Sequence, residues 1–306
     1  MRVDIYLPLL LTGVFGLVAP GIARRLPPAI AAWLLSIGGL VCAAASGATL
    51  AFLGWTLVGQ SPDVAADGHW SVPALRNHDL VPRPVAGVAL AAFGIALTWT
   101  TVLLVRRLRA LADAYRLAGS LASHDGQLVV TDDDSLPACA VPGRPGRVIV
   151  PAGLLRRLDA TERRALLAHE RAHIAHRHHL HGTAVALAAA ANPMLRRLPA
   201  AVALATERWA DEDAARHTRR DAVARALRTA ALTSRTVATP GSVLGAVGSD
   251  VVVRVEALTA PPPRPTAWRI LALTAIVAAT ALATLVAARE TERLFELAMH
   301  VYRLTH

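Results

Sequence analysis

The sequence predicts a mainly α-helical membrane protein with four transmembrane helices and one small α+β globular domain. Hydrophobic residues make up 54% of the 306 positions and the mean hydropathy is +0.42, which is too apolar for an ordinary soluble domain. Four windows have the roughly 20 apolar residues that a helix needs to cross a bilayer. Residues 106–262, between the third and fourth windows, carry enough charge to form a globular domain.

The four predicted spans cover residues 5–23, 30–58, 85–105 and 268–288. The first ends in Arg24 and Arg25 rather than in a small-residue cleavage site, so we expect it to be retained as an anchor. The polar segment SPDVAADGHWSVPALRNHDLVPRP, which follows the second span, predicts an exposed loop. The predicted organisation is a membrane region at 1–105, the domain at 106–262, and a last span with a short amphipathic tail at 263–306.

The charge pattern predicts a protein that contacts lipid. The formal net charge is +10, and arginine supplies all of the positive charge because the chain has no lysine. Beside long apolar runs, such a charge favours an anionic lipid surface over direct contact with nucleic acid. Eight arginines near the span ends lie on the predicted inner side against six on the other. We therefore expect a multi-pass cell-membrane protein whose domain is cytoplasmic and whose amino terminus is outside; nothing in the sequence indicates the oligomeric state.

The domain begins with strand patterns and continues with helical ones. The valine-rich runs QLVV and RVIVP predict strands, and ACAVPG is a third candidate. Asp159 and Glu162 form a capping-box pattern ahead of a helix that includes the run of histidines. The apolar stretch at 182–206 is divided by Pro193 and Pro199 into pieces too short to cross a bilayer. We expect it to form a helical hairpin, packed on the domain or near the membrane surface.

Six of the twelve histidines fall within residues 169–181, and two of them belong to the motif HExxH, written here as HERAH. On a helix, His169 and His173 point to one side, so both imidazoles can reach one metal ion. Glu170 lies between them, where a carboxylate can act as a general base. For the HERAH motif taken alone, the alternative is a polar helix with solvated histidines.

A second pair of candidate residues follows in the helical segment TERWADEDAA. Glu207 could complete a His-His-Glu ligand set for zinc, which needs a third protein ligand in a catalytic site. Asp211, one turn further, could accept a hydrogen bond from a ligand imidazole and hold its tautomer. The alternative is a solvated acidic helix face, because Glu212 and Asp213 adjoin the pair.

The remaining histidines of the run have three interpretations: a second metal site, contact with acidic lipid, or solvated histidines at a helix end that favour the macrodipole. We favour the third for His176, His178, His179 and His181. For an oxyanion-stabilising donor, the candidates are His217 and Arg254.

Together, HERAH, a broken apolar hairpin containing NP, and ERWADEDAA resemble the gluzincin metallopeptidases. The resemblance implies that His169, His173 and Glu207 bind one zinc ion per chain, with Glu170 as general base and Asp211 behind the ligands. Two membrane branches share the pattern. The heat-shock and prenyl-protein branch places spans between HExxH and the third ligand, whereas the BlaR/MecR-type branch places three spans before the domain and one after it. This chain resembles the second layout.

The resemblance implies a membrane-embedded zinc endopeptidase that cleaves a protein or peptide substrate, with regulatory cleavage of a cytoplasmic repressor or a membrane protein as one role. Two features depart from the BlaR/MecR type. Few residues follow the last predicted span, so we expect no external penicillin-binding sensor, and His178 stands where the family often has an acidic residue. Three alternatives remain: a quality-control peptidase of the heat-shock and prenyl-protein type, a non-enzymatic metal-responsive membrane protein, and a signalling scaffold with a vestigial site.

Overall fold

The computed structural model describes residues 3–78, 81–120, 127–237 and 244–305, and it has the predicted fold class. Its strands are β1 (Leu128–Thr131), β2 (Cys139–Val141) and β3 (Arg147–Pro151). Its helices are α1 (Leu7–Ala23), α2 (Pro28–Val58), α3 (Pro62–Gly68), α4 (Val72–His78), α5 (Arg83–Ser120), α6 (Ala152–Arg157), α7 (Ala160–Ala175), α8 (His178–Ala191), α9 (Leu198–His217), α10 (Arg220–Val237), α11 (Leu244–Thr259) and α12 (Ala267–Thr305).

Four helical segments of the described chain are long and apolar enough to cross a membrane, which indicates a membrane protein. Two of these helices are longer than the predicted spans. Helix α5 continues past residue 105 to Ser120, and α12 continues past residue 288 to Thr305. The expected tail is therefore the last part of α12, and the predicted division at residue 105 falls inside a continuous helix.

The segment between α2 and α5 contains two short helices, α3 and α4, so the prediction of an exposed loop was wrong. Trp70 packs edge-to-face on Phe295 of α12 at 5.2 Å, and its indole Nε1 donates to the Gly59 carbonyl at 2.8 Å. Leu75 is fully buried in the same cluster. The segment is ordered because its apolar side chains pack on the end of α12, more than 200 positions away in the chain.

Helices α8 and α9 form the predicted hairpin, but the hairpin packs against membrane helices rather than only on the domain. Val185 and Leu198 are fully buried in one core with Phe15 of α1 and Leu35 of α2. A Cβ atom at Gly39 would lie 2.8 Å from Leu198 Cδ1, so the α2 backbone lies close to the hairpin. Small residues permit such close helix packing in membranes.

Polar contacts define how far the hairpin extends along α2. His181, near the start of α8, has its Nδ1 3.1 Å from Ser36 Oγ. Asn192, at the tip, donates from Nδ2 to Ser46 Oγ at 2.8 Å. Helix α8 has 14 residues, about 21 Å of helix, so it is too short to span but long enough to reach the middle of α2.

The domain core lies between the sheet and helices α7, α9 and α10. The sheet order is β1-β3-β2; β1 pairs with β3 in parallel and β2 with β3 antiparallel. Val148 and Val150 of β3 are buried against Leu166 of α7. The predicted capping box starts α7: Asp159 accepts from two backbone amides and Glu162 accepts from the Asp159 amide. Because α7 also packs on α9, the HERAH segment faces Glu207.

Candidate metal centre

Helices α7 and α9 bring His169, His173 and Glu207 together. Their nearest ligand atoms all lie within 4.8 Å of one another. The two Nε2 atoms are 3.2 Å apart, and each is 3.5 Å from an oxygen of Glu207. Within the described chain, this is the one group of three His, Cys, Asp or Glu residues that is spaced to hold an ion.

These separations fit a zinc ion. Zinc binds histidine nitrogen and carboxylate oxygen at about 2.1 Å, so two ligand atoms on a tetrahedral ion are about 3.4 Å apart. The 3.2 Å between the two Nε2 atoms lies close to that spacing, and so does the 3.5 Å from each Nε2 to its own Glu207 oxygen, Oε2 for His169 and Oε1 for His173. Two nitrogens and one carboxylate oxygen are also the donor types of a catalytic zinc site that keeps its fourth position open.

The other ring nitrogen of each candidate ligand already has a partner. His169 Nδ1 lies 3.0 Å from Asp211 Oδ1, and His173 Nδ1 lies 2.9 Å from His178 Nδ1. With Nδ1 held in this way, Nε2 is the ring nitrogen that faces the other candidate ligands and can bind a metal. In both histidines, Nε2 is therefore the atom that can bind the metal.

Arg254 of α11 connects the carboxylates of the centre. Its Nε and Nη2 donate to the two oxygens of Asp211 at 2.8 and 2.7 Å, and its Nη1 lies 2.9 Å from Glu207 Oε2. A planar guanidinium suits such a two-oxygen contact. Arg254 was a sequence candidate for an oxyanion donor; in the structure, three of its nitrogens contact carboxylates.

Charge interactions outweigh burial at several of these groups. Burial lowers the pKa of His169, but its hydrogen bonds to Asp211 and Glu207 raise this pKa to about 9. Burial raises the pKa of Glu207, but the His169 hydrogen bond and the Arg254 charge lower this pKa to about 2. For Asp211, the same two partners overcome burial and hold the pKa well below its usual range. Glu207 and Asp211 are therefore ionised at neutral pH.

At two groups of the centre the charged partners do not outweigh burial, so burial sets the direction of the pKa shift. Burial, helped by the charge on His169, lowers the pKa of His173 to about 4. Burial raises the pKa of Glu170, which is 8% exposed. A raised carboxyl pKa suits a general base that must accept and then release a proton near neutral pH.

The centre opens into a cavity of about 1500 Å³. Glu170 lines it, together with apolar side chains of the β1–β2 loop, of α7 and of α10, such as Leu136, Ile174 and Leu227. Strand β2 forms one wall through Cys139 and Ala140, and it is the edge strand next to β3. A peptide in this cavity could therefore lie beside a strand edge and the metal-binding atoms at once.

The run of histidines does not form one helix, so that prediction was wrong. Helix α7 ends at Ala175, and Arg177 adopts a left-handed backbone with φ 51° before α8 begins at His178. The change of direction separates HERAH from the later histidines. His178 and His181 are thus at the start of a helix, where the macrodipole disfavours a positive charge.

The interpretation of solvated helix-end histidines was wrong for His178 and His181, which are 5% and 4% exposed. Burial lowers the pKa of His178 to about 3 and also lowers the pKa of His181. His176 is half-buried, with its ring stacked 4.4 Å from Trp209, and His179 lies half-buried at the cavity wall. The apolar hairpin and Trp209 cover these rings, which a local sequence pattern does not reveal.

The other oxyanion candidate, His217, lies at the end of α9. Its ring is exposed, and Nδ1 is 2.9 Å from the Asp213 carbonyl. It is not among the described residues that line the cavity. The structure therefore does not bring His217 to the centre.

Sequence reasoning missed the contacts made by His178 and Trp209. His178 contacts His173, and the Trp209 ring packs 4.9 Å from the His178 ring. The sequence signals were a histidine five positions after His173 and a tryptophan two positions after Glu207. Neither signal indicates contact until the break at Arg177 and the crossing of α8 and α9 are known.

An HExxH helix, a facing Glu-x-x-x-Asp helix, an adjoining edge strand and four membrane-type helices define a membrane metallopeptidase. The model of peptidase family M48 matches residues 104–293, more than half of the chain. The chain therefore belongs to peptidase family M48. No curated protein and no solved structure matches it.

Proposed function

We propose that this M48 metallopeptidase is a zinc-dependent, membrane-embedded endopeptidase. The supporting observation is that the Nε2 atoms of His169 and His173 lie 3.2 Å apart and each lies 3.5 Å from an oxygen of Glu207, with Glu170 beside them at the cavity. The proposed ligands are His169, His173 and Glu207, with one zinc ion per chain. Asp211 holds the orientation of His169 through its Nδ1.

In the proposed mechanism, zinc supplies Lewis-acid chemistry that polarises the scissile carbonyl and makes a water molecule more acidic. Glu170 accepts a proton from the attacking water and passes it to the nitrogen of the leaving amine. Its burial keeps the carboxylate poorly solvated and therefore basic. Arg254 holds Glu207 and Asp211 in place.

The cavity favours an extended, largely apolar peptide as substrate. In the part of the chain that the structure describes, β2 is an edge strand whose outer side can pair with an extended backbone, and the apolar wall can accept aliphatic side chains. The wall also includes Gly182 and Ala203 of the hairpin, which packs on membrane helices. We therefore propose that the substrate is a protein segment close to the bilayer, on the cytoplasmic side that the arginine bias indicates.

Two biological roles follow from the helix layout. Three spans before the domain and one after it, as in the BlaR/MecR type, support regulatory cleavage of a cytoplasmic repressor or a membrane protein. Membrane quality control of the heat-shock and prenyl-protein type is the second candidate. The hairpin favours it, because α8 and the first half of α9 lie between HExxH and Glu207 and pack against the membrane helices.

The purified full-length protein can be tested in detergent on a library of apolar peptides, with and without a chelator and after zinc is restored. Glu170→Gln is the matched variant because it keeps the shape and removes the base. We expect its cleavage rate to fall by about 10²–10⁴-fold, while one zinc ion per chain remains bound. Undiminished cleavage by Glu170→Gln would overturn the mechanism.

Zinc stoichiometry separates the enzyme from a metal-responsive protein. The peptidase binds one ion, which is lost in Glu207→Ala, whereas a metal sensor based on the later histidines binds further ions that do not depend on Glu207. Comparing the proteomes of cells that express the parent or Glu170→Gln would then identify the substrate, since only the parent depletes it.

A further inference from the structure

We infer that His178 is a positioning residue for His173: a neutral imidazole that accepts a hydrogen bond from the Nδ1–H of His173 and so directs its Nε2 to the metal. The inference rests on the proposed zinc function. The contact that carries it is the 2.9 Å separation between the two Nδ1 atoms. His178 takes the position in which the resemblance to the BlaR/MecR type leads one to expect an acidic residue.

The direction of this hydrogen bond follows from the chemistry of imidazole. Two ring nitrogens 2.9 Å apart need one proton between them, so one donates and the other accepts. His173 must leave Nε2 unprotonated to bind a metal beside Glu207, and it therefore carries its proton on Nδ1. His178 is then the acceptor at Nδ1, and its own proton lies on Nε2.

The surroundings of His178 hold its ring in one place. The residue is 5% exposed, its ring lies edge-to-face with that of His173 at 4.7 Å, and Trp209 packs at 4.9 Å. The Nε2 atom is buried without a hydrogen-bond partner in the described part of the chain. A buried donor of this kind has an energetic cost, which a purely structural residue would avoid by being apolar. The cost is understandable if Nδ1 is needed as an acceptor.

The two proposed histidine ligands thus have partners of different charge. His169 is paired with the carboxylate of Asp211, whereas His173 is paired with a neutral ring. The centre already contains Glu170, Glu207 and Asp211 against Arg254, and a divalent ion balances that set. An acidic partner for His173 would add an uncompensated negative charge in a buried place, so a neutral acceptor fits better.

The test compares near-isosteric variants of the full-length protein in detergent. In His178→Asn, the amide oxygen can occupy the position of Nδ1 and accept the hydrogen bond; in His178→Leu, nothing can accept it. Zinc affinity is measured by competition with a chelating dye, and the ligand field by the visible spectrum of the cobalt-substituted protein. His176→Leu is the control, since His176 stacks on the same Trp209 ring.

We expect His178→Leu to bind zinc about 10–100-fold more weakly than the parent, with a changed cobalt spectrum. His178→Asn should stay within a few-fold of the parent, and His176→Leu should match it. Parent-like affinity and spectrum in His178→Leu, or equal loss in the Asn and Leu variants, overturns the inference. If His178→Leu does not fold, His178→Phe keeps the ring shape without the acceptor and decides the question. A parent protein that binds no zinc overturns the proposed function itself.

Discussion

The two groups of histidines within residues 169–181 have the same side-chain chemistry and different surroundings. His169 and His173, on α7, expose their Nε2 atoms to Glu207 and the cavity. His178 and His181, on α8, are covered by Trp209 and the membrane helices. The left-handed residue Arg177 separates the two groups. The density of histidines therefore does not define the candidate metal centre. The centre is defined by the helix on which each ring lies and by the partner of each ring nitrogen.

The largest effect should come from removing one histidine of each group. His173→Ala loses a proposed metal ligand, so we expect loss of stoichiometric zinc and a fall in peptidase activity of about 10³-fold or more, because the ion contributes several kcal/mol to the transition state. His181→Ala, which removes a histidine of the second group, should keep both the zinc and the activity. Metal analysis measures the bound zinc, and peptide cleavage by the same preparations measures the activity. Equal zinc loss in the two variants would contradict the division into two groups.

A smaller effect should follow from changing the charged partner of His169. Asp211→Asn removes the negative charge beside His169 and one partner of Arg254. We expect zinc affinity to fall by about 10–100-fold, measured by chelator competition, and cleavage to fall with it at limiting zinc. Glu212→Gln on the same helix is the control, because Glu212 pairs with Arg220 instead. An Asp211→Asn protein with parent affinity would show that the charge is unimportant.

The break between the two groups can be tested at Arg177. A left-handed backbone costs a residue with a side chain about 1–2 kcal/mol, and a β-branched side chain fits it worst. We expect Arg177→Val to lower the thermal midpoint by about 2–4 °C and Arg177→Gly to leave it unchanged or higher. Thermal unfolding in detergent measures the order of the three proteins. A midpoint for Arg177→Val above that of Arg177→Gly would contradict a left-handed break.

The smallest effect concerns pH and the buried His181. Burial lowers its pKa below the ordinary value of 6.5, so the unfolded chain binds a proton at a higher pH than the folded protein does. The folded state therefore loses stability as the pH falls below about 6.5, towards the lower folded-state pKa. We expect the thermal midpoint of His181→Phe to fall less than that of the parent between pH 7.5 and pH 5. A parent midpoint with the same pH dependence as the variant would show that His181 is not buried in its neutral form.

The sequence predicted most of the fold because the relevant signals are local. Apolar length indicated the four spans, valine-rich runs indicated the strands, and Asp159 with Glu162 marked the start of α7. Predictions failed where a segment is stabilised by distant partners. Trp70 packs on the far end of α12, and the hairpin packs against α2 through Asn192 and Ser46.

The same limit applies to the candidate centre. The four-residue spacings of His169 with His173 and of Glu207 with Asp211 are visible in the sequence, since helical periodicity places each pair on one face. The contact of His178 with His173 is not visible, because it depends on a single backbone reversal at Arg177.

By itself, the sequence determined which residues can supply metal-binding nitrogens, carboxylates and membrane-spanning length, because these properties belong to residue types and helical spacing. Only the tertiary structure decided which nitrogen of each histidine is free, that Arg254 holds Glu207 and Asp211, and that the hairpin lies inside the membrane bundle. Those outcomes depend on the crossing of α7, α8, α9 and α11. Such crossings are determined by contacts between residues far apart in the chain, which no local pattern encodes.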